Sequence, residues 1–280
     1  MAGKISVIGL GPGNLENITG KASAAIQNSD TIIGYDVYID LLSGLISNQE
    51  VIRAGATEEV VRAQRAVQLA SEGKTVAVVS SGDAGVYGMA GLIFEVLVEL
   101  GWHPGDNPSI EVLPGISAIQ SCGARLGAPI MHDACTISLS DHLTPWEVIE
   151  KRVEAAAQAD FVIAFYNPKS RQRTRQIEEA RKILLKYRRK DTPVGLVKNA
   201  YRASEEVFTT TLEDMLNHEI GMLTTVIVGN SATFLYDGLM ITPRGYQRKY
   251  VLNRDEQPIP QEKRLDPVHE PWALSAGDKQ

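Results

Sequence analysis

The sequence predicts an α/β fold built as two α/β domains. Three observations carry this. Short apolar runs alternate with longer amphipathic stretches, as strands alternate with helices in such folds. Several runs end in turns rich in glycine and small polar residues, as at Gly9-Leu10-Gly11-Pro12-Gly13 and Ser80-Ser81-Gly82-Asp83-Ala84-Gly85. The pattern restarts near mid-chain, and 280 residues suit one large or two medium domains with sizeable buried cores.

The elements follow in order. Ile5–Ile8 and Thr31–Ile33 are buried-strand runs. Glu58–Ser71 has helical spacing, with Glu58 and Glu59 in the first turn and Gly73 as the stop. Thr75–Val79 is a strand, Met89–Leu100 a very apolar helix ended by Gly101, and Ile110–Leu113 a strand closed by Pro114-Gly115. In the second half, Thr136–Leu139 reads as a strand. Thr144-Pro145-Trp146-Glu147 reads as a helix start, with Thr144 capping, Pro145 first in the helix and Glu147 completing a capping box. Phe161–Tyr166 is a strand, Arg173–Lys186 a helix, Val194–Lys198 and Thr225–Val228 strands, with a short helix near Leu212–Asn217. The expected domains are 1–114 and 115–250. From 251 to 280 four of the 13 prolines, mixed charges and no apolar periodicity predict an extended or disordered tail.

The net charge of −6 gives no bulk signal for nucleic acid or an anionic membrane. No run of 18 apolar residues suggests a membrane span, and the start MAGKISVIGLGPGN lacks the apolar length of a signal peptide. A soluble, cytoplasmic protein is expected. Cys122 and Cys135 show no zinc or redox spacing and read as buried thiols. The five histidines show no ligand spacing, so no metal is expected.

The first glycine turn invites a dinucleotide reading, with Asp36 as the ribose acid. Three features oppose it. Asn14 leaves GxGxxG incomplete, Pro12 lacks an N–H where a phosphate needs donors, and the polar stretch Asn14–Thr19 separates the turn from any helix. The turn is either a plain tight turn or a place where a ligand without phosphate approaches the backbone closely.

Six loops then occur in order: GLGPG (Gly9–Gly13), SGDAGVYG (Ser81–Gly88), LPGISA (Leu113–Ala118), FYNP (Phe165–Pro168), KNAYR (Lys198–Arg202) and VGNSA (Val228–Ala232). This set resembles the tetrapyrrole methylase family over roughly residues 4 to 250. The family's usual GGDP reads Ser81-Gly82-Asp83-Ala84 here, and its usual Tyr-Met reads Tyr166-Asn167. The resemblance implies two α/β domains with S-adenosylmethionine in the cleft between them, a tetrapyrrole substrate and a homodimer. Gly34–Tyr38, Ser138–Trp146 and Tyr166–Arg171 are similar to the branch that methylates C17 of precorrin-3B or cobalt-factor III and contracts the ring in cobalamin synthesis. Methylation at another ring carbon is the alternative.

The resemblance implies cofactor contacts from Pro12, Ser81, Gly82, Asp83, Val86, Tyr87, Ser117, Ala118, Asn167 and Ala200. Most lie at predicted strand ends, where an open α/β sheet presents its binding loops. Asp83 also reads as a turn carboxylate, and Ser117 as the cap of the next helix. Methyl transfer from an activated sulfonium needs alignment and exclusion of water more than side-chain chemistry. Ring contraction needs an acid or base, for which Asp141 and His142 are the candidates ahead of Asp36, Tyr35 and Tyr38. Asp141 also reads as a loop carboxylate near the following helix. Tyr35, Tyr38, Lys169, Arg171 and Arg202 are the expected substrate contacts. Arg125, Arg173 and Arg175 are further cations for its carboxylates, the last two doubling as a solvated helix face.

Overall fold

Continuous apolar runs make strands covered on both faces. The computed structural model, which describes residues 2–55, 57–248, 250 and 252, shows this directly. Strands β1 (Lys4–Gly9), β2 (Thr31–Tyr35), β3 (Glu50–Ala54), β4 (Thr75–Ser80) and β5 (Ser109–Leu113) form one parallel sheet in the order β3-β2-β4-β1-β5. Four helices accompany it: α1 (Gly20–Gln27), α2 (Asp36–Asp40), α3 (Glu59–Ser71) and α4 (Ala90–Glu99). Side chains alternate across the strands. Ile5, Val7, Ile33, Val76 and Val78 pack with Ala63, Ala66 and Leu69 of α3 and Ile93 and Leu97 of α4. Ile8, Ile32, Ala77 and Val79 pack on the other face with Ala22 and Ile26 of α1 and Ile39 of α2.

A second sheet has the order β10-β9-β11-β8-β7. Its strands are β7 (Ala134–Ser138), β8 (Val162–Tyr166), β9 (Pro193–Lys198), β10 (Glu206–Thr211) and β11 (Thr224–Val228). The β7–β8 pair is parallel and the other three pairs are antiparallel. Helices α6 (Trp146–Gln158) and α7 (Arg175–Leu184) cover one face, where Ile149, Val153, Ile177, Ile183 and Leu184 meet Ile163, Phe165, Leu196 and Val226. On β9, Leu126 of α5 (Ala118–Leu126) sits so close to Gly195 that a Cβ there would lie 2.2 Å from Leu126 Cδ1. A small third sheet joins β6 (Gly127–Ala128), β12 (Phe234–Tyr236) and β13 (Leu239–Ile241).

The chain divides into two compact units. One is Met1–Ser121 with Ala200–Ala203, the other Cys122–Asn199 with the described residues from Ser204 on. The division falls inside α5, seven residues past the expected 114/115 boundary, and four residues after β9 return to the first unit. The tail expected over 251–280 lies, Leu252 apart, outside the described residues.

Some local expectations need correction. Helix α6 begins at Trp146, so Pro145 is its cap, and no side chain caps it. The Pro145 carbonyl takes the first helical bonds, from Val148 and Ile149 N–H at 3.0 and 3.3 Å, which leaves Thr144 outside the helix. Helix α7 begins at Arg175 rather than Arg173. The helix near Leu212–Asn217 is a single 3-10 turn at Met215–Asn217.

The most constrained point of the first unit is where β1, β4 and β5 end. The backbones of Gly9, Gly82 and Gly115 touch there. A Cβ on Gly115 would lie 2.2 Å from the Gly82 carbonyl oxygen, and one on Gly9 would lie 2.6 Å from the Gly115 nitrogen. The obstacles are backbone atoms, which cannot swing away as a side chain can. Gly115→Ala is therefore expected to destabilise the protein by about 3 kcal/mol or more. Phe165→Ala, which empties a fully buried site, is expected to cost about 3 to 5 kcal/mol. Leu100→Ala, at a residue 70% exposed, should stay within about 0.5 kcal/mol. Chemical denaturation of the three variants checks the ranking.

Candidate active site

In the first unit the strand ends are laced together by backbone bonds. Leu10 N–H donates to the Ser80 carbonyl at 2.9 Å, and Gly11 and Gly82 exchange N–H···O bonds of 3.0 and 2.7 Å. The Asp83 carboxylate accepts from Gly115 N–H at 3.0 Å and from Gly85 N–H at 2.8 Å. Asp83 thus straps the β4 loop to the β5 loop, and its turn role is a fact of this structure. Gly82 in turn lies beside Ser117 and Ala118: a Cβ on it would meet their backbone atoms at 3.8 and 3.9 Å. The Ser117 carbonyl accepts the N–H groups of Gln120 and Ser121, both at 3.0 Å, as the first bonds of α5.

The returned segment Ala200–Ala203 brings Arg202 to the same place. Its Nε donates to the Pro12 carbonyl at 3.0 Å, and Nη2 donates to Ser81 Oγ at 3.3 Å. Gly13 has a φ of 130°, which favours glycine, and a Cβ there would also lie 2.5 Å from Arg202 Nε. Arg202 was expected to meet a substrate carboxylate; here its guanidinium is spent on the two loops. Burial lowers its pKa, opposed by the nearby Tyr38. The rings of Tyr35 and Tyr38 meet edge to face at 5.2 Å, and burial pushes the Tyr38 hydroxyl up. Asp36 forms part of a surface pairing, 3.7 Å from Arg53, which also reaches Asp40 at 2.8 Å.

The structure therefore brings Pro12, Ser81, Gly82, Asp83, Ser117, Ala118 and Arg202 together. Val86 and Tyr87 follow in the same loop, and Ala200 in the returned segment. Two donors of the first glycine turn are already committed. Leu10 and Gly11 N–H are taken by carbonyls, and α1 starts only at Gly20, capped by Thr19 Oγ, which accepts from Ala22 N–H at 3.2 Å. After the first glycine turn a diphosphate would find no helix N-terminus, and Arg202 is already engaged by the two loops. Carbonyls, hydroxyls and a carboxylate suit a ligand that is cationic and rich in donors.

Six described non-glycine residues have positive φ, and four lie in the loops singled out from sequence: Tyr87 at 55°, Asn167 at 49°, Asn199 at 52° and Tyr201 at 60°. For a tyrosine this conformation costs about 1 to 2 kcal/mol. Such strain collects where a loop shape is imposed by use.

In the second unit the parallel neighbours β7 and β8 end side by side, with Ser138 opposite Tyr166. Asn167 Nδ2 donates to Ser138 Oγ at 3.1 Å, so its amide is engaged within the loop. Arg173 Nη1 donates to the Asn167 carbonyl at 2.7 Å and to the Leu139 carbonyl at 2.9 Å, and its Nε stands 3.9 Å from Asp141 Oδ1. Burial lowers the Arg173 pKa, and Asp141 opposes this. Gln176 Nε2 donates to Asp141 Oδ2 at 2.7 Å. His142 is exposed in the same loop.

The other cations sort by partner. Arg175 pairs with Glu179 at 3.1 Å on the helix surface, and Arg125 with Glu205 at 2.7 Å. Lys169 and Arg171 have no hydrogen-bond or ion-pair partner among the described residues. Two polar residues escaped notice in the sequence. Gln176 and Arg62 are both buried. Gln176 shares a helical stripe with Ala180 and Ile183, and Arg62 one with Ala66 and Leu69. A polar residue on an apolar stripe was the available signal.

Neither cysteine forms a disulfide. Cys122 is buried, and burial raises the Cys135 thiol. Among the described residues no group of three His, Cys, Asp or Glu side chains could hold a metal ion. No helix among them is long and apolar enough to cross a membrane.

Comparison with known proteins gives the family and the fold. The description "Tetrapyrrole (Corrin/Porphyrin) Methylases" matches residues 4–216. A Priestia megaterium protein named cobalt-factor III methyltransferase is 69% identical over 274 residues, covering 98% of this chain but only 51% of that relative. The chain thus spans about half the length of that relative. A Salmonella typhimurium protein named probable cobalt-factor III C(17)-methyltransferase is 47% identical over 86% of this chain and 99% of its own length. The crystal structure of the methyltransferase CobJ superposes with a TM-score of 0.82 at 36% identity, covering 86% of this chain and all of that one. Five of the six loops lie inside the matched span, Val228–Ala232 falling beyond it, the fold is shared with CobJ, and the chain belongs to the tetrapyrrole (corrin/porphyrin) methylase family.

Proposed function

We propose that this chain is an S-adenosylmethionine-dependent C-methyltransferase of cobalamin synthesis that methylates C17 of cobalt-factor III, or of its cobalt-free counterpart precorrin-3B, with contraction of the ring. The observation that carries this reading is the 47% identity to a cobalt-factor III C(17)-methyltransferase over 99% of that relative's length. The loop chemistry supports it. Bound S-adenosylmethionine supplies an activated methyl group on a cationic sulfur. The residues proposed to hold it in the first unit are Pro12, Ser81, Gly82, Asp83, Val86, Tyr87, Ser117, Ala118 and Ala200. Their carbonyls, hydroxyls and carboxylate fit an adenosine and an amino acid better than a diphosphate.

The chain's own work is then alignment and shielding, which account for a large part of such a rate enhancement. Pro12 and the three packed glycines fix the loop shape. Arg202 holds Pro12 and Ser81 in register. Lys169 and Arg171, which have no hydrogen-bond or ion-pair partner among the described residues, are the proposed contacts for carboxylate arms of the substrate. Asp141, with His142 in the same loop, is proposed to move the proton that ring contraction requires. A homodimer in the cytoplasm completes the proposal.

Purified protein should incorporate one labelled methyl group into cobalt-factor III or precorrin-3B and change its absorption spectrum as the ring contracts. No methyl transfer to either substrate overturns the reading. Calorimetry should show binding of S-adenosylhomocysteine and none of NAD. Arg202→Ala should weaken S-adenosylhomocysteine binding by about tenfold, as expected for losing charge-assisted hydrogen bonds that position the loops. Unchanged affinity in that variant would remove Arg202 from the cofactor site.

A further inference from the structure

The Asp141 carboxylate has one close side-chain donor and one looser ion-pair partner. Gln176 Nε2 donates to Oδ2 at 2.7 Å, while Arg173 Nε stays 3.9 Å from Oδ1. The other end of the Gln176 amide is unsatisfied: Oε1 is buried and has no hydrogen-bond partner. Gln176 as a whole is only 6% exposed. A stable core would not place an amide there, because the orphaned acceptor opposes folding and an aliphatic side chain would fill the same space without that penalty. The amide has one evident use, which is to donate to Asp141. Its orientation is set, since the reverse would press Oε1 against the carboxylate.

Arg173 works on the same loop from the other direction. Its Nη1 ties the Leu139 carbonyl, two residues before Asp141, to the Asn167 carbonyl in the neighbouring loop. The loop bearing Asp141 is therefore fixed at its base by Arg173 and at its carboxylate by Gln176. We propose that Gln176 and Arg173 are positioning residues for Asp141. They leave its Oδ1 as the oxygen that takes and returns the substrate proton during ring contraction. This rests on the role of Asp141 proposed above, and it goes further by naming the residues through which that role is exerted.

Gln176→Leu separates function from folding. It removes the donor to Asp141 and the orphaned acceptor together while keeping the volume. The quantity read is contracted product per methyl group transferred, from the absorption spectrum and the label, in full-length protein. Asp141→Asn and the exposed-face control Glu178→Gln are measured beside it. The expected result is a fall in that ratio of tenfold or more in Gln176→Leu and in Asp141→Asn. Glu178→Gln should keep the wild-type ratio, and Gln176→Leu should melt at or above the wild-type temperature. Arg173→Lys, which keeps the charge but loses the fork, should lower the ratio as well. A wild-type ratio in Gln176→Leu beside a low one in Asp141→Asn overturns the positioning role and leaves Asp141 standing. A wild-type ratio in Asp141→Asn overturns the Asp141 reading itself, and this inference with it. A Gln176→Leu protein that melts lower and loses both activities equally shows a structural residue and also overturns the inference.

Discussion

The backbones of Gly9, Gly82 and Gly115 touch, and neither Gly9 nor Gly115 has room for a Cβ. Much of the first unit's loop geometry follows from that contact. It lets three neighbouring strands end in one small area and lets Gly11 and Gly82 exchange hydrogen bonds across the gap. It also puts Gly115 N–H within reach of the Asp83 carboxylate. Because the constraint is steric and between main chains, it is insensitive to rotamer changes nearby. Close-packed interiors transmit such constraints rather than absorbing them. The loop surface built on it is correspondingly defined before any ligand arrives.

The second unit solves a similar problem with side chains. Its paired strand ends, β7 and β8, carry no glycine trio. Their loops are joined instead by Arg173, which reaches two carbonyls and one carboxylate, and by the bond from Asn167 to Ser138. A guanidinium can serve several acceptors from one planar group, which is why arginine suits such a hub. This loop pair is thus held by side-chain hydrogen bonds, where the first unit's loops are held by main-chain contact. Asp141, the residue proposed to move a proton, lies in this side-chain-tied loop pair.

What the sequence made legible follows the same division. Strands buried on both faces announced themselves as unbroken apolar runs, and β1, β4, β8, β9 and β11 lie where those runs are. Strands β3 and β10 were not foreseen. Both are edge strands with exposed polar residues, and neighbours rather than their own patterns define them. Thr144 looked like a helix cap by its spacing to Glu147, but the proline between them ended as the cap. The strand-end loops were legible because glycine and proline have few other uses in such turns. The bond from Arg202 to Pro12 was not, because the two lie 190 residues apart in sequence.

Methyl transfer and ring contraction ask different things of a protein, and the two units differ in the same sense. Transfer from an activated sulfonium needs shape, so the residues proposed for it are glycines, a proline and backbone groups. Contraction needs a proton moved, so the residues proposed for it are a carboxylate and the donors that aim it. Shape is written in residues with narrow conformational use and is visible in a single sequence. Aim is written in ordinary polar residues whose meaning depends on what they face. Gln176 on an otherwise apolar helical stripe is such a residue. Its unsatisfied oxygen costs about 1 to 3 kcal/mol of stability and so marks where the fold departs from its own best packing. The other such atom among the described residues is Arg188 Nε, whose guanidinium ties the Gly229 and Phe161 carbonyls, so an orphaned polar atom gains meaning only from what its side chain holds.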